Sequence, residues 1–143
     1  MSNPRLSISQ LAGLSVTGGF LMWAGWPPSP AFICLFIGFV PLLVVEDELQ
    51  KRALPPTGWQ LFGVGFLFFL TWNALTTWWI WNASPGGAIF AIVTNSLVMC
   101  IPYLLYFRTK RLLGAQPGYI SLIVYWVGFE FLHYKWELAW PWL

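Results

Sequence analysis

The sequence predicts an all-α protein, a polytopic bundle of about five transmembrane helices with its N-terminus in the cytoplasm. Three observations predict it. Of 143 residues, 58% are hydrophobic and only 8% are charged. A soluble domain carries about 25% charged residues, so seven basic and five acidic side chains do not cover a water-facing surface. The apolar residues fall into five runs of near-membrane length, and the basic residues fall at one set of their ends. A very greasy soluble core is the competing reading, and the scarcity of charge argues against it.

The first span is 6–25. Its apolar run is interrupted by Gly13, Ser15, Thr17, Gly18 and Gly19, a spacing of small residues that suits close helix packing in lipid. A secretory signal is the alternative, with Arg5 as its basic start and Ala24-Gly25 as its cleavage site. Trp26-Pro27-Pro28-Ser29-Pro30 ends the span, because each proline lacks an N–H and restricts the residue before it. The second span, 31–45, is short and extends across a kink at Pro41. Pro55-Pro56-Thr57-Gly58 separates it from the third, 58–81. Ser84-Pro85-Gly86-Gly87 reads as a tight turn between antiparallel helices. The fourth span is 88–107, Gly114-Ala115-Gln116-Pro117-Gly118 is the next break, and the fifth span is 118–136. All of 1–143 thus reads as one transmembrane helical domain. Cys34 and Cys100 both fall inside apolar runs and read as small buried hydrophobes.

Numbering the ends alternately from a cytoplasmic N-terminus puts Arg5, Lys51, Arg52, Arg108, Lys110 and Arg111 inside and only Lys135 outside. Such a bias in short loops sets orientation. The acidic run Glu46-Asp47-Glu48 lies on the inner side too, where acids carry little weight. The same topology gathers Trp23, Trp26, Trp78, Trp79, Trp81, Trp136, Trp140 and Trp142 at the outer ends. An ordinary aromatic belt populates both faces. The one-sided excess suggests a surface built to contact lipid or a domain lying on the membrane; anchoring alone is the simpler reading.

Few residues offer chemistry. Glu130, His133 and Glu137 are three and four apart and share a helical face, with Trp126 one turn earlier. An ionisable group at the bilayer centre costs at least ~2.5–3.5 kcal/mol on insertion scales, so Glu130 is expected to face protein or water. A di-metal site would need the Glu-x-x-His motif twice with two further carboxylates, and His133 is the one histidine. No metal site or cofactor is expected. A proton relay and a structural hydrogen bond that fixes the fifth helix remain as readings. Asn73, Thr76 and Thr77 form a second polar cluster, one turn apart and within reach of Asn95 and Ser96 on the next span. No nucleophile constellation, phosphate-binding glycine loop or basic aromatic stretch for nucleic acid is present.

The order of several short motifs resembles the N-terminal membrane part of bacterial apolipoprotein N-acyltransferases. They are Trp26-Pro27-Pro28, Phe39-Val40-Pro41-Leu42-Leu43, Trp72-Asn73, Trp78-Trp79-Ile80-Trp81, Gly86-Gly87, Glu130-Phe131-Leu132 and Trp140-Pro141-Trp142-Leu143. Trp140 stands where the family shows Phe, and His133 where Arg is common. The resemblance implies an inner-membrane enzyme of eight spans with a periplasmic carbon-nitrogen-hydrolase-like domain. That domain's Glu-Lys-Cys triad takes an acyl chain from phospholipid and passes it to the N-terminal lipidated cysteine of an apolipoprotein. Neither Cys34 nor Cys100 matches the triad cysteine, so no catalytic residue is expected in 1–143. The chain is expected to be a truncated, inactive fragment that meets the apolipoprotein only through the absent domain. Within the whole enzyme, Trp78, Trp79, Trp140 and Trp142 are expected to line the lipid entrance, with Glu130 holding the fifth helix to the following loop. The alternative is a non-enzymatic membrane scaffold or the substrate-binding subunit of a transporter.

Overall fold

Capping chemistry decides where the helices begin. The computed structural model describes residues 6–52 and 56–135. Six α-helices and one 3₁₀ turn, with no strand, occur among the described residues. They are α1 (Ile8–Ala24), α2 (Ile33–Ile37), α3 (Val40–Gln50), α4 (Gly58–Thr77), the 3₁₀ turn Trp78–Asn82, α5 (Pro85–Leu113) and α6 (Ala115–His133). Helices α1 and α4 open with the same device. Ser7 Oγ accepts from the Gln10 N–H and the Ser7 N–H donates to Gln10 Oε1. Thr57 and Gln60 repeat the exchange at α4. Each box satisfies two backbone donors that a helix start otherwise leaves open.

Several boundaries differ from the sequence reading, each for a local reason. The second span is broken at Gly38-Phe39, just ahead of Pro41, and resumes as α3 to Gln50. The acidic run is therefore helical, and Glu46 is fully buried, accepting a hydrogen bond from Gln50. Pro85-Gly86-Gly87 is the first turn of α5, not a separate hairpin turn. Ser84 Oγ accepts from the Gly87 N–H at 3.1 Å, and a proline at the first helical position gives up an N–H that has no intrahelical partner there. Between α5 and α6 the break is Gly114 alone, with φ at +95°, a backbone conformation that glycine adopts without strain. Pro117 sits in the first turn of α6. The third span ends in a 3₁₀ turn rather than in α-helix.

Two helical stretches, Gly58–Asn82 and Pro85–Leu113, are long and apolar enough to cross a membrane. At 1.5 Å per residue α5 spans about 43 Å and α4 about 30 Å, against a hydrocarbon core of about 30 Å. Helix α1 is apolar and shorter, at 17 residues.

The chain divides into two units, 1–100 and 101–143, with the boundary inside α5. In the first unit α1 packs along α4 and is flanked by α2 and α3. The buried residues of α1 are Leu11, Ser15, Gly18, Gly19 and Met22, one face at helical spacing. Those of α4 repeat the spacing from Leu61 through Gly65, Phe68, Phe69, Trp72 and Asn73 to Thr77. The glycines let the backbones meet: a Cβ at Gly19 would lie 2.5 Å from the Phe68 carbonyl oxygen. Phe39, at the α2–α3 break, packs its ring against Phe68 at 5.2 Å and against Trp72 at 6.4 Å. At the opposite end Arg52 Nη2 donates to the Leu6 carbonyl at 3.1 Å, tying the end of α3 to the start of α1.

In the second unit the last turns of α5 pack on α6. A Cβ at Gly118 would lie 2.5 Å from Lys110 Cβ, so only glycine allows this approach. Buried Lys110 has its Nζ 4.8 Å from the centre of the Tyr119 ring and 5.7 Å from that of Tyr106, the geometry of a cation–π contact. Thr109 and Tyr125 share a hydrogen bond of 3.0 Å across the same pair.

The helix faces turned away from these contacts are apolar as well. Ile8, Val16 and Phe20 on α1, Phe36 on α2, Ile89, Val93 and Leu97 on α5, and Ile123, Val127 and Phe131 on α6 are all exposed, Phe36 at 81%. Helices that are apolar on every side belong in a large core or in lipid.

Candidate functional site: a tryptophan-rimmed groove above a buried amide network

The end of the first unit remote from Arg52 is aromatic. Helix α1 delivers Trp23 in its last turn, and the prolines after it turn the chain so that Trp26 folds back onto α4. The Trp26 ring meets Trp72 edge-on at 5.8 Å. Above that contact lies an open groove of ≈ 580 Å³. Trp23, Trp26, Pro27 and Pro28 form one wall, Leu75, Thr76 and Trp78 the other, and Ser29 adds a hydroxyl. Trp78 is 62% exposed, and Trp79 and Trp81 stand exposed on the same 3₁₀ turn. An indole presents a flat apolar face with one N–H donor, which suits the boundary between lipid tails and water.

Beneath the groove α4 and α5 are joined by side-chain amides. Asn73 is buried. Its Nδ2 donates to the Phe69 carbonyl at 2.8 Å, to Ser96 Oγ at 3.3 Å and to Met99 Sδ at 3.2 Å. Its Oδ1 accepts from Asn95 Nδ2 at 2.7 Å. Thr77 Oγ1 donates to the Asn73 carbonyl at 2.6 Å and Thr76 Oγ1 to the Trp72 carbonyl at 2.8 Å. These bonds satisfy carbonyls in the last turns of α4, immediately before the 3₁₀ turn that carries Trp78. The network is made of amides and hydroxyls, and its side-chain bonds tie α4 to α5.

Of the residues singled out from sequence, the structure brings Asn73 together with Asn95 and Ser96, and places Trp78 in the groove with Trp79 beside it. Among the described residues the hydrogen-bond partner of Glu130 is Trp126 of its own helix, Nε1 to Oε1 at 2.9 Å, and Glu130 is exposed; the loop it was expected to hold lies outside the described residues. His133 packs on Phe129 with ring centres 5.4 Å apart. Arg5, Pro55, Trp136, Glu137, Trp140 and Trp142 lie outside the described residues. Sequence reading assigned no role to Thr76 and Ser29 in a groove, or to Glu46 and Lys110 as buried charges. The only advance signal for Lys110 was its spacing from Tyr106 and Tyr119, four residues along one helix and across a glycine turn.

The model of the apolipoprotein N-acyltransferase N-terminal domain matches residues 18–143. An apolipoprotein N-acyltransferase of Chlorobaculum tepidum is 24% identical over 133 residues, covering 91% of this chain and 24% of the relative. The chain thus spans about a quarter of the length of that protein. No solved structure matches it. With the groove-forming Trp26-Pro27-Pro28, the central Trp72-Asn73 and the 3₁₀ tryptophans all inside the matched region, the chain belongs to the apolipoprotein N-acyltransferase family, over that family's N-terminal domain.

Proposed function

We propose that this chain is the membrane-embedded N-terminal portion of an enzyme that moves an acyl chain from a phospholipid to the amino group of a lipid-modified cysteine on an apolipoprotein. It crosses the bacterial inner membrane five times, with the N-terminus in the cytoplasm and the tryptophan rim on the periplasmic side. The covalent steps are those of the Glu-Lys-Cys domain that the resemblance implies. The cysteine thiolate forms a thioester with the acyl chain and releases the lysophospholipid; the acceptor amine then attacks the thioester, forms the amide and returns the thiol. The chain's own part is to admit and orient the donor lipid at the outer rim, through Trp78 and Trp79.

The observation that carries this reading is the groove of Trp23, Trp26 and Trp78, set among helix faces that are apolar on every side. Position and chemistry both suit a lipid entering from the bilayer. In the full-length enzyme Trp78→Ala and Trp79→Ala are expected to slow phospholipid-dependent acyl transfer roughly two- to ten-fold each, the worth of one aromatic contact. Trp59→Ala, at the other end of α4 and 82% exposed, should leave the rate unchanged. Wild-type rates in both rim variants at normal membrane levels would remove the entrance.

The orientation has its own test. In a background lacking Cys34 and Cys100, Ser84→Cys should react with a membrane-impermeant thiol reagent in intact spheroplasts. Gln116→Cys, beside the basic end of α5, should react only after the cells are broken. The reverse pattern would invert the topology and place the tryptophan rim in the cytoplasm.

A further inference from the structure

We propose that Ser29 is a positioning residue for the donor lipid: its hydroxyl gives its proton to an acyl-ester carbonyl of a phospholipid seated in the tryptophan-rimmed groove. This role rests on the groove's being the lipid entrance, as proposed above, and adds which part of the lipid it grips, the ester and not the headgroup.

Ser29 is held in place from both sides. Its N–H donates to the Trp26 carbonyl at 2.9 Å, and the Trp26 ring is set against Trp72. Pro27 and Pro28 lie between, each with its φ fixed by its own ring. On the other side the Ala31 N–H donates to Ser29 Oγ at 3.1 Å, a turn bond of the kind serine forms with the backbone two residues on. That bond uses one lone pair of the hydroxyl and leaves its proton. Among the described residues the proton goes to no acceptor. Thr76 on the facing wall is the complement. Its Oγ1 donates to the Trp72 carbonyl at 2.8 Å, so it offers the groove lone pairs alone.

A carbonyl oxygen only accepts, so of the two hydroxyls Ser29 is the one that can bind it. Charge argues against the phosphate as the group held here. No residue lining the groove is charged, and the basic residues described in the first unit, Lys51 and Arg52, stand at its other end. An anion drawn against such a wall loses water and finds no cation. An ester is neutral and joins tail to headgroup, so it sits near the depth where indoles collect. With its carbonyl on Ser29 the tail runs along Leu75 and the indole faces, and the headgroup stays outside.

The experiment uses the full-length enzyme and two lipids with the same headgroup. Diester phosphatidylethanolamine is the acyl donor. Its diether analogue has no ester carbonyl, is not transferred, and serves as a competitive inhibitor. Ser29→Ala should raise the KM for the diester about five-fold, the net worth of one neutral hydrogen bond, with kcat little changed. The Ki of the diether should not move. Ser29→Asp keeps an oxygen for the Ala31 N–H but has no proton to give, and should lose at least as much as Ser29→Ala. Ser29→Thr keeps both and should recover most of the loss. Equal weakening of diester and diether overturns the proposal, because the hydroxyl then meets the phosphate or the headgroup. A wild-type KM in Ser29→Asp overturns it as well, since the serine then serves only its own turn. If Trp78→Ala slows transfer and Ser29→Ala does not, the entrance stands and the ester contact falls. If neither does, both fall.

Discussion

Gly19→Val is expected to separate α1 from α4 and to be the most damaging single substitution in the first unit. A Cβ at this position would lie 2.5 Å from the Phe68 carbonyl oxygen, 2.8 Å from Thr71 Cβ and 3.1 Å from the Trp72 backbone nitrogen. Two of these three atoms are helix backbone, which cannot swing aside as a side-chain tip does. Overpacking typically costs about 1–3 kcal/mol, and a clash with a neighbouring helix backbone belongs at the upper end. In lipid the consequence is sharper. Association there depends on close packing rather than on water exclusion, so a helix held away loses most of what held it. Gly13→Val, on the same helix with nothing within 4 Å of its Cβ, is the matched control. Denaturant titration of the purified chain in mixed micelles should show a large loss for Gly19→Val and almost none for Gly13→Val. Equal stability of the two variants would mean that α1 does not pack on α4 through this face, and would return the first span to the signal-peptide reading.

The comparison of those two glycines shows what sequence alone conveys. The interruption of the first span by small residues was visible, and so was its meaning for helix packing. Which glycines touch a neighbour was not, because a helix that is apolar all round carries no periodic mark of its buried face. The polar cluster was easier to read. Asn73, Asn95 and Ser96 stand out in apolar spans, and an amide in lipid has to find a partner, so their meeting followed from scarcity. The tryptophan rim was legible as a tally of outer ends, but its groove was not. That depends on Trp26 folding back onto Trp72 after the Trp-Pro-Pro turn, a long-range contact that spacing does not encode. The two capping boxes that fix the starts of α1 and α4, Ser7 with Gln10 and Thr57 with Gln60, were not picked out from the sequence. The reading of Pro85-Gly86-Gly87 and of Pro117 as breaks treated those prolines as helix breakers, whereas in the first turn a proline costs no hydrogen bond. Glu46 lay just past the second span as read, and its burial comes with α3 running on to Gln50, more than a turn beyond residue 45.

Asn73→Ala carries the second large expected effect, and it links packing to the proposed entrance. The substitution removes four side-chain bonds and leaves Asn95 Nδ2 without its acceptor. Asn95 Oδ1 is already buried with no partner among the described residues, so in the variant that amide is unsatisfied at both ends. Interhelical polar contacts in membranes average about 0.6 kcal/mol, while a buried polar group left unmatched costs about 1–3 kcal/mol. The orphaned amide, not the lost bond, should therefore dominate, and the expected loss is about 2–3 kcal/mol. Asn73→Ala with Asn95→Ala should cost less than the sum of the two single changes, with a coupling of about 1 kcal/mol, because the double variant removes the orphan along with its partner. Additive costs would mean that the two amides do not bond across α4 and α5. A functional consequence follows from position. The bonds that the variant loses to Ser96 and Asn95 tie the last turns of α4 to α5, just before the 3₁₀ turn that aims Trp78 into the groove. In the full-length enzyme Asn73→Ala should thus raise the KM for phospholipid more than it lowers kcat, since it shifts a wall of the groove and touches no reacting atom. A fall in kcat at unchanged KM would place the network's influence on the chemical step instead, and would separate Asn73 from the lipid-binding role of the tryptophan rim.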